Sequence, residues 1–173
     1  MKVILCMAQT INGIIARENY GEDFLAHVNW EVFLKLAEEI GCFIIGRKTY
    51  DVYQAKNSEE YSFDNMTAKK IIVSRDKKPK LAPGYISANS PKDALTKASE
   101  LGFTKVLLTG GGTVNSAFMK AGLVDEIIIN VEPYILGEGI SIFSKETFEN
   151  KLELVEVKKL KSEVIQLHYK IKK

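Results

Sequence analysis

The sequence predicts an α/β fold: a doubly wound, mostly parallel sheet that ends in an antiparallel hairpin. Three observations lead there. Short apolar runs recur as far as Val131 without polar alternation, as strands covered on both faces do. Helical patterns lie between them, the arrangement of βαβ winding. Near the C-terminus the pattern changes to strict alternation, the mark of a half-exposed antiparallel strand.

The buried strands are expected at residues 3–8, 42–45, 71–73, 106–108 and 127–131. Trp30, Phe33, Leu34 and Ala37 follow the i, i+3, i+4, i+7 spacing of a helix, with Asn29 as its expected N-cap. Ser90, Pro91 and Asp93 supply an N-cap, a first-turn proline and a first-turn acid; Ala94, Leu95, Ala98 and Leu101 form the stripe, and Gly102 ends it. Val114, Ala117, Phe118 and Ala121 form another stripe, closed by Gly122. A short helix is expected over 47–53. Residues 54–69 and 75–84 are polar, lack periodicity and read as surface loops. Ile165, Leu167, Tyr169 and Ile171 alternate with polar residues and pair with 152–160, where a phase slip at Leu154 and Val155 suggests a bulge.

Composition narrows the function. The 173 residues suit one domain, residues 1–173, and 46% hydrophobic content is enough to bury a core. Net charge is +2, from 24 basic and 22 acidic residues, so no nucleic-acid partner is implied. The longest apolar run, 3–8, falls far short of the ~20 residues of a membrane-spanning helix. It is also too short for a secretory signal. Cys6 and Cys42 both sit inside apolar runs, which suits buried thiols in a reducing cytoplasm. His27 and His168 stand apart from any cysteine or second histidine, so no metal is expected.

Five segments could carry chemistry. Thr109-Gly110-Gly111-Gly112-Thr113 takes a strand directly into a helix, so the backbone can turn tightly and approach a ligand at a helix N-terminus. It is neither a Rossmann fingerprint, whose third glycine would fall at Asn115, nor a P-loop. Gly46-Arg47-Lys48-Thr49-Tyr50 ends a strand and opens a helix with two cations, which oppose the dipole and ask for an anion such as a phosphate. Val73-Ser74-Arg75 puts a hydroxyl and a guanidinium at a strand end, where Arg75 could grip a 2′-phosphate. Residues 8–16 hold an Asn12-Gly13 turn between apolar flanks. Glu132-Pro133 places a carboxylate at the end of a very apolar strand.

Together these segments resemble the dihydrofolate-reductase-like superfamily, and within it the reductase domain of riboflavin biosynthesis. The matching pieces are Thr10-Ile11-Asn12-Gly13-Ile14-Ile15-Ala16, Ile45-Gly46-Arg47-Lys48-Thr49-Tyr50, Val73-Ser74-Arg75, Thr109-Gly110-Gly111-Gly112, and Gly122-Leu123-Val124-Asp125-Glu126 with Glu132-Pro133 and Leu136-Gly137. They keep the family's order and cover roughly residues 3–143.

The resemblance implies a three-layer α-β-α sandwich with NADPH across the sheet's C-terminal edge. It implies Ala8 and Ile14 beside the nicotinamide, and Gly46, Arg47, Lys48 and Thr49 at phosphates. Ser74 and Arg75 would lie toward the 2′-phosphate, and Thr109, Gly110, Gly111, Gly112 and Thr113 at the pyrophosphate. Thr10, Asn12 and Glu132 would face substrate, which in the riboflavin reductases is a pyrimidine ribosylamino phosphate reduced at its sugar carbon. A homodimer is also a family expectation. Proton delivery to nitrogen would fall to Glu132, Glu31 or water, with loop 10–22 as a lid hinged at Gly13 and Gly21.

Departures are visible. Asn12 stands where family members often carry Asp. Glu31, near the start of the first helix, is an inexact match to the acid of dihydrofolate reductases, so a folate or pterin substrate is the secondary reading. The zinc-deaminase signature that accompanies the bifunctional riboflavin enzyme is absent. A nucleotide-binding module without turnover is the alternative from another class.

Overall fold

The computed structural model describes residues 1–56, 58, 60–76 and 78–172. In chain order the elements are β1 (Lys2–Thr10), β2 (Ile14–Ala16), α1 (Val28–Ile40), β3 (Cys42–Gly46), α2 (Arg47–Lys56), β4 (Lys69–Val73) and β5 (Tyr85–Ala88). They continue with α3 (Pro91–Glu100), β6 (Lys105–Leu108), α4 (Gly112–Lys120), β7 (Glu126–Glu132), β8 (Ile140–Ser141), β9 (Leu152–Lys159) and β10 (Ile165–Ile171). Eight strands form one sheet in the order β5-β4-β3-β6-β1-β7-β10-β9. Its first six strands run parallel, β10 runs antiparallel to β7, and β9 runs antiparallel to β10.

Alternate residues of each central strand feed different layers. Val3 and Leu5 of β1 join Ala94, Ala98, Val114 and Phe118 from α3 and α4 on one face. Ile4 and Cys6 join Phe33, Ala37 and Tyr50 from α1 and α2 on the other. This double covering is why the strands read as unbroken apolar runs. Truncating a side chain as enclosed as Phe118 would cost about 3–5 kcal/mol.

Local signals are met where the chemistry is explicit. Ser90, the N-cap, accepts from the Asp93 amide at 3.1 Å, and Asp93 accepts from the Asn89 amide just before the cap at 2.7 Å, so the two side chains satisfy two backbone donors at the entry to α3. Gly102 and Gly122 have positive φ just beyond α3 and α4. In the hairpin, Leu154 pairs with Tyr169 and Glu156 with His168, leaving Val155 as the extra residue of a bulge.

Three expectations change. Helix α1 starts at Val28, with His27 rather than Asn29 at its N-cap and no side-chain cap. Asn29 lies inside the first turn, because its side chain bonds to the Ala26 carbonyl and Glu132 instead. The segment expected as a surface loop over 54–69 begins with the end of α2 and buries Phe63 and Met66 against the α1 face. Its residues Asn57 and Glu59, like Lys77 of the 75–84 loop, lie outside the described residues. Strand β5 and the small β2–β8 sheet are additional, and each of these strands spans only two to four residues, too short to show a period.

Candidate active site

Open α/β sheets bind ligands beyond the carboxyl ends of their strands. A cavity of about 490 Å³ lies there. Met7 and Ala8 at the end of β1, Thr109 and Gly111 after β6, and Asn130 of β7 line its sheet side. Asn29, Trp30 and Phe33 of α1, with Thr49, Tyr53 and Lys56 of α2, line the helical side. Glu22, Asp23 and His27 come from the connection into α1.

The glycine turn is built by close approach. Gly110 has φ +92°, and the Gly110–Gly111 peptide is cis. The Gly111 amide donates to Thr49 Oγ1 at 2.8 Å, which ties the turn to α2. The Gly110 carbonyl accepts from the Gly46 amide at 2.7 Å, and a Cβ on Gly46 would meet Val114 Cγ2 at 2.7 Å. A side chain on Gly112 would collide with the Ser141 carbonyl. The amides of Gly112 and Thr113, at the start of α4, have no partner among the described residues. These are free donors at the positive end of a helix dipole.

The expected site residues fall into three groups. Ala8, Thr49, Thr109 and Gly111 line the cavity. Gly46, Gly110, Gly112 and Thr113 shape the adjoining turn. Arg47 donates to Asp51 at 2.7 Å, so this cation at the helix start already has an intrahelical partner; Lys48 is exposed. Ser74 is buried and accepts from the Asp76 amide, and Arg75 is exposed at the end of β4. Ile14 is buried in β2, while its neighbour Ile15 lines the cavity.

Thr10 and Asn12 hold a turn together. Thr10 donates to Asn12 Oδ1 at 2.8 Å and accepts from the Ile14 amide at 3.0 Å. Asn12 donates to the Leu136 carbonyl at 2.6 Å, joining the β1–β2 turn to the segment after β7. Glu132 is 1% exposed, and its Oε1 accepts from the Ala26 amide at 2.9 Å and from Asn29 Nδ2. It therefore fastens the entry to α1, which carries Asn29 and Trp30 to the cavity wall. Glu31 faces outward between His27 and Lys161, away from the lining.

The aromatic side of the cavity was not apparent from the sequence. Trp30, Phe33, Tyr53, Tyr61 and Phe63 form a continuous wall, with Tyr53 stacked on Phe63 at 4.3 Å and Trp30 5.8 Å from Phe63. The spacing of Trp30 with Phe33, and of Tyr50 with Tyr53, carried the signal but equally suits core packing. Burial, and then the nearby Glu22 carboxylate, hold the Tyr53 phenol well above its ordinary range, so it stays a neutral donor, 3.2 Å from Glu22. Burial pushes the Cys6 thiol on the lining up to about 12, which removes it as a thiolate nucleophile. Among the described residues no group of acids, histidines and cysteines could hold a metal, and no helix is long and apolar enough to cross a membrane.

A mostly parallel sheet with an antiparallel C-terminal hairpin, a glycine turn at its C-terminal edge and a cavity beside that turn is the arrangement of a dihydrofolate-reductase-like fold. The chain belongs to the RibD C-terminal domain family, whose model matches residues 1–166. It is 28% identical over 171 residues to the uncharacterised protein YwjB of Bacillus subtilis (strain 168), covering 97% of each chain. Among solved structures, the riboflavin-biosynthesis-like protein of Shewanella sp. PV-4 superposes with a TM-score of 0.82 at 18% identity over the whole of both chains. The deaminase/5-amino-6-(5-phosphoribosylamino)uracil reductase of Thermotoga maritima gives 0.74 at 16% identity, with 99% of this chain covering 56% of that one. At these identities the structural likeness is one of fold.

Proposed function

We propose that this protein is an NADPH-dependent reductase acting on a small nitrogen heterocycle. The observation that carries the reading is the cavity itself, which runs from the glycine turn after β6 to the aromatic wall of α1 and α2. Membership of the RibD C-terminal domain family supports it.

The turn suits the cofactor's phosphates: two free amides at a helix start, and glycines where any side chain would strike backbone or neighbours. Gly111 and Thr109 would hold that end, with Arg75 and Ser74 beyond it toward a 2′-phosphate. NADPH, when bound, would supply hydride for a C=N or C=C–N carbon. The chain's own part is positioning. Met7, Ala8 and Ile15 floor the cavity with apolar groups that exclude water, and Thr49 fixes the turn through its hydroxyl. Glu132 acts through Asn29 and the Ala26 amide by holding the substrate-side wall in place. The same reading carries a cytoplasmic homodimer that joins through the uncovered apolar face of the β9–β10 hairpin.

The test is calorimetric titration with NADPH and NADH, with absorbance followed for oxidation. NADPH should bind tighter, and Arg75→Ala should weaken NADPH far more than NADH. Equal losses would remove Arg75 from the 2′-phosphate role. Tight binding with no oxidation of NADPH by any pyrimidine or pterin tried would favour a binding module.

A further inference from the structure

We infer that the substrate side of this cavity takes a flat nitrogen heterocycle that carries no phosphate; the inference rests on the reductase reading for the identity of the site. The family's riboflavin reductases act on a ribosylamino phosphate, and a phosphate of charge about −1.5 to −2 needs uncommitted cations or free backbone amides; the free amides lie at the glycine turn, where the cofactor's phosphates would take them. The described lining residues that can carry positive charge are His27 and Lys56. Lys56 is committed: its Nζ donates to Glu22 at 2.6 Å and lies 4.5 Å over the Tyr53 ring. His27 sits between the Glu31 and Glu60 carboxylates at 3.8 and 3.5 Å. The nearby Arg17 is held by Asp23 through two bonds of 2.7 and 2.8 Å. A phosphate would therefore meet Glu22 and Asp23 at the mouth and would have to break an ion pair to gain one.

The remaining wall favours a planar unsaturated ring. Trp30, Tyr53, Tyr61 and Phe63 offer aromatic surface, which stacks on any π-face. Two amides supply polar recognition. Asn29 Oδ1 is buried and accepts from no described residue. Asn130 turns its oxygen to Gln166 Nε2 at 2.9 Å, which leaves its NH₂ as the donating side. One unpaired acceptor and one donor suit the N–H and C=O edge of a lactam, the group common to pyrimidinones and pterins.

The experiment uses the full chain and a matched pair of probes, 6-hydroxymethylpterin and its phosphate monoester, titrated calorimetrically with and without NADP. NADP is titrated separately. The unphosphorylated pterin should bind, and the ester should bind about tenfold more weakly or worse, because like charges face each other at the mouth. Glu22→Lys should narrow or reverse that preference, and Glu22→Gln should narrow it less, which keeps the test intact if the lysine variant does not fold. An ester that binds as tightly as the free pterin would overturn the inference. So would failure of both probes with NADP still binding, and that result leaves the reductase reading standing. Pterin binding without NADP binding would sink the reductase reading and leave the cavity assignment intact.

Discussion

Removing the Glu132 carboxylate should destabilise the fold and loosen one wall of the cavity. Glu132 is 1% exposed, and one of its oxygens accepts from the Ala26 amide and from Asn29 Nδ2. Glu132→Ala leaves two donors without an acceptor, each costing about 1–3 kcal/mol, so a loss of about 2–6 kcal/mol is expected. Glu132→Gln keeps one carbonyl acceptor and exchanges charge-assisted bonds for neutral ones, a loss of about 1 kcal/mol. Urea unfolding followed by circular dichroism reads both, and the alanine variant's midpoint should fall by about 1 M or more with an unchanged slope. Trp30, the chain's single tryptophan, lies just beyond Asn29, so its emission should shift red in the folded alanine variant. Midpoints within about 0.2 M of the parent, or a glutamine variant more stable than the parent, would refute the reasoning. The second result would mean that Glu132 is a buried charge without adequate partners.

Other consequences can be checked directly. Glu126 lies 2.8 Å from Lys2 and 3.2 Å from His168, and these partners outweigh burial to hold its carboxyl below the ordinary range. A carboxyl lowered by folding contributes stability above its unfolded pKa of about 4.3, and that stability is lost as pH falls through the folded value. Glu126→Gln should therefore flatten the acid limb of the stability–pH curve, and an unchanged limb would count against the pairing. Burial pushes both the Cys6 and Cys42 thiols up to about 12, so neither should react with a disulfide reagent at pH 8 until urea exposes it. Leu152, Leu154 and Val157 of β9 share a face with Leu167 and Tyr169 and are left exposed. Leu154→Lys with Val157→Lys should convert the proposed dimer to monomer in sedimentation; a parent that is monomeric at micromolar concentration would remove this interface.

The layered fold was legible because burial on both faces writes itself as unbroken apolar runs, and because Ser90-Pro91 and Gly122 mark helix ends by local chemistry. The bulge at Val155 was legible for a similar reason, since one extra residue shifts the phase of an alternating strand. What stayed hidden depends on which side chains meet once the chain is folded, near or distant in sequence. Asn29 has the residue type of an N-cap, yet Glu132, 103 residues away, draws its side chain inward. Arg47 at a helix start asks for an anion, and Asp51 one turn on supplies the carboxylate. Phe63 sits in a polar stretch without period, so nothing local says that it completes the wall behind Tyr53.

Energy transfer from Trp30 to bound NADPH would report whether the cofactor sits in this cavity. Trp30, Thr109 and Gly111 line one continuous cavity, so a reduced nicotinamide seated there lies close to the indole. Excitation of the tryptophan should give saturable nicotinamide emission that oxidised cofactor displaces. Cofactor that binds without sensitised emission would be seated elsewhere, and cofactor that does not bind at all would remove the reductase assignment.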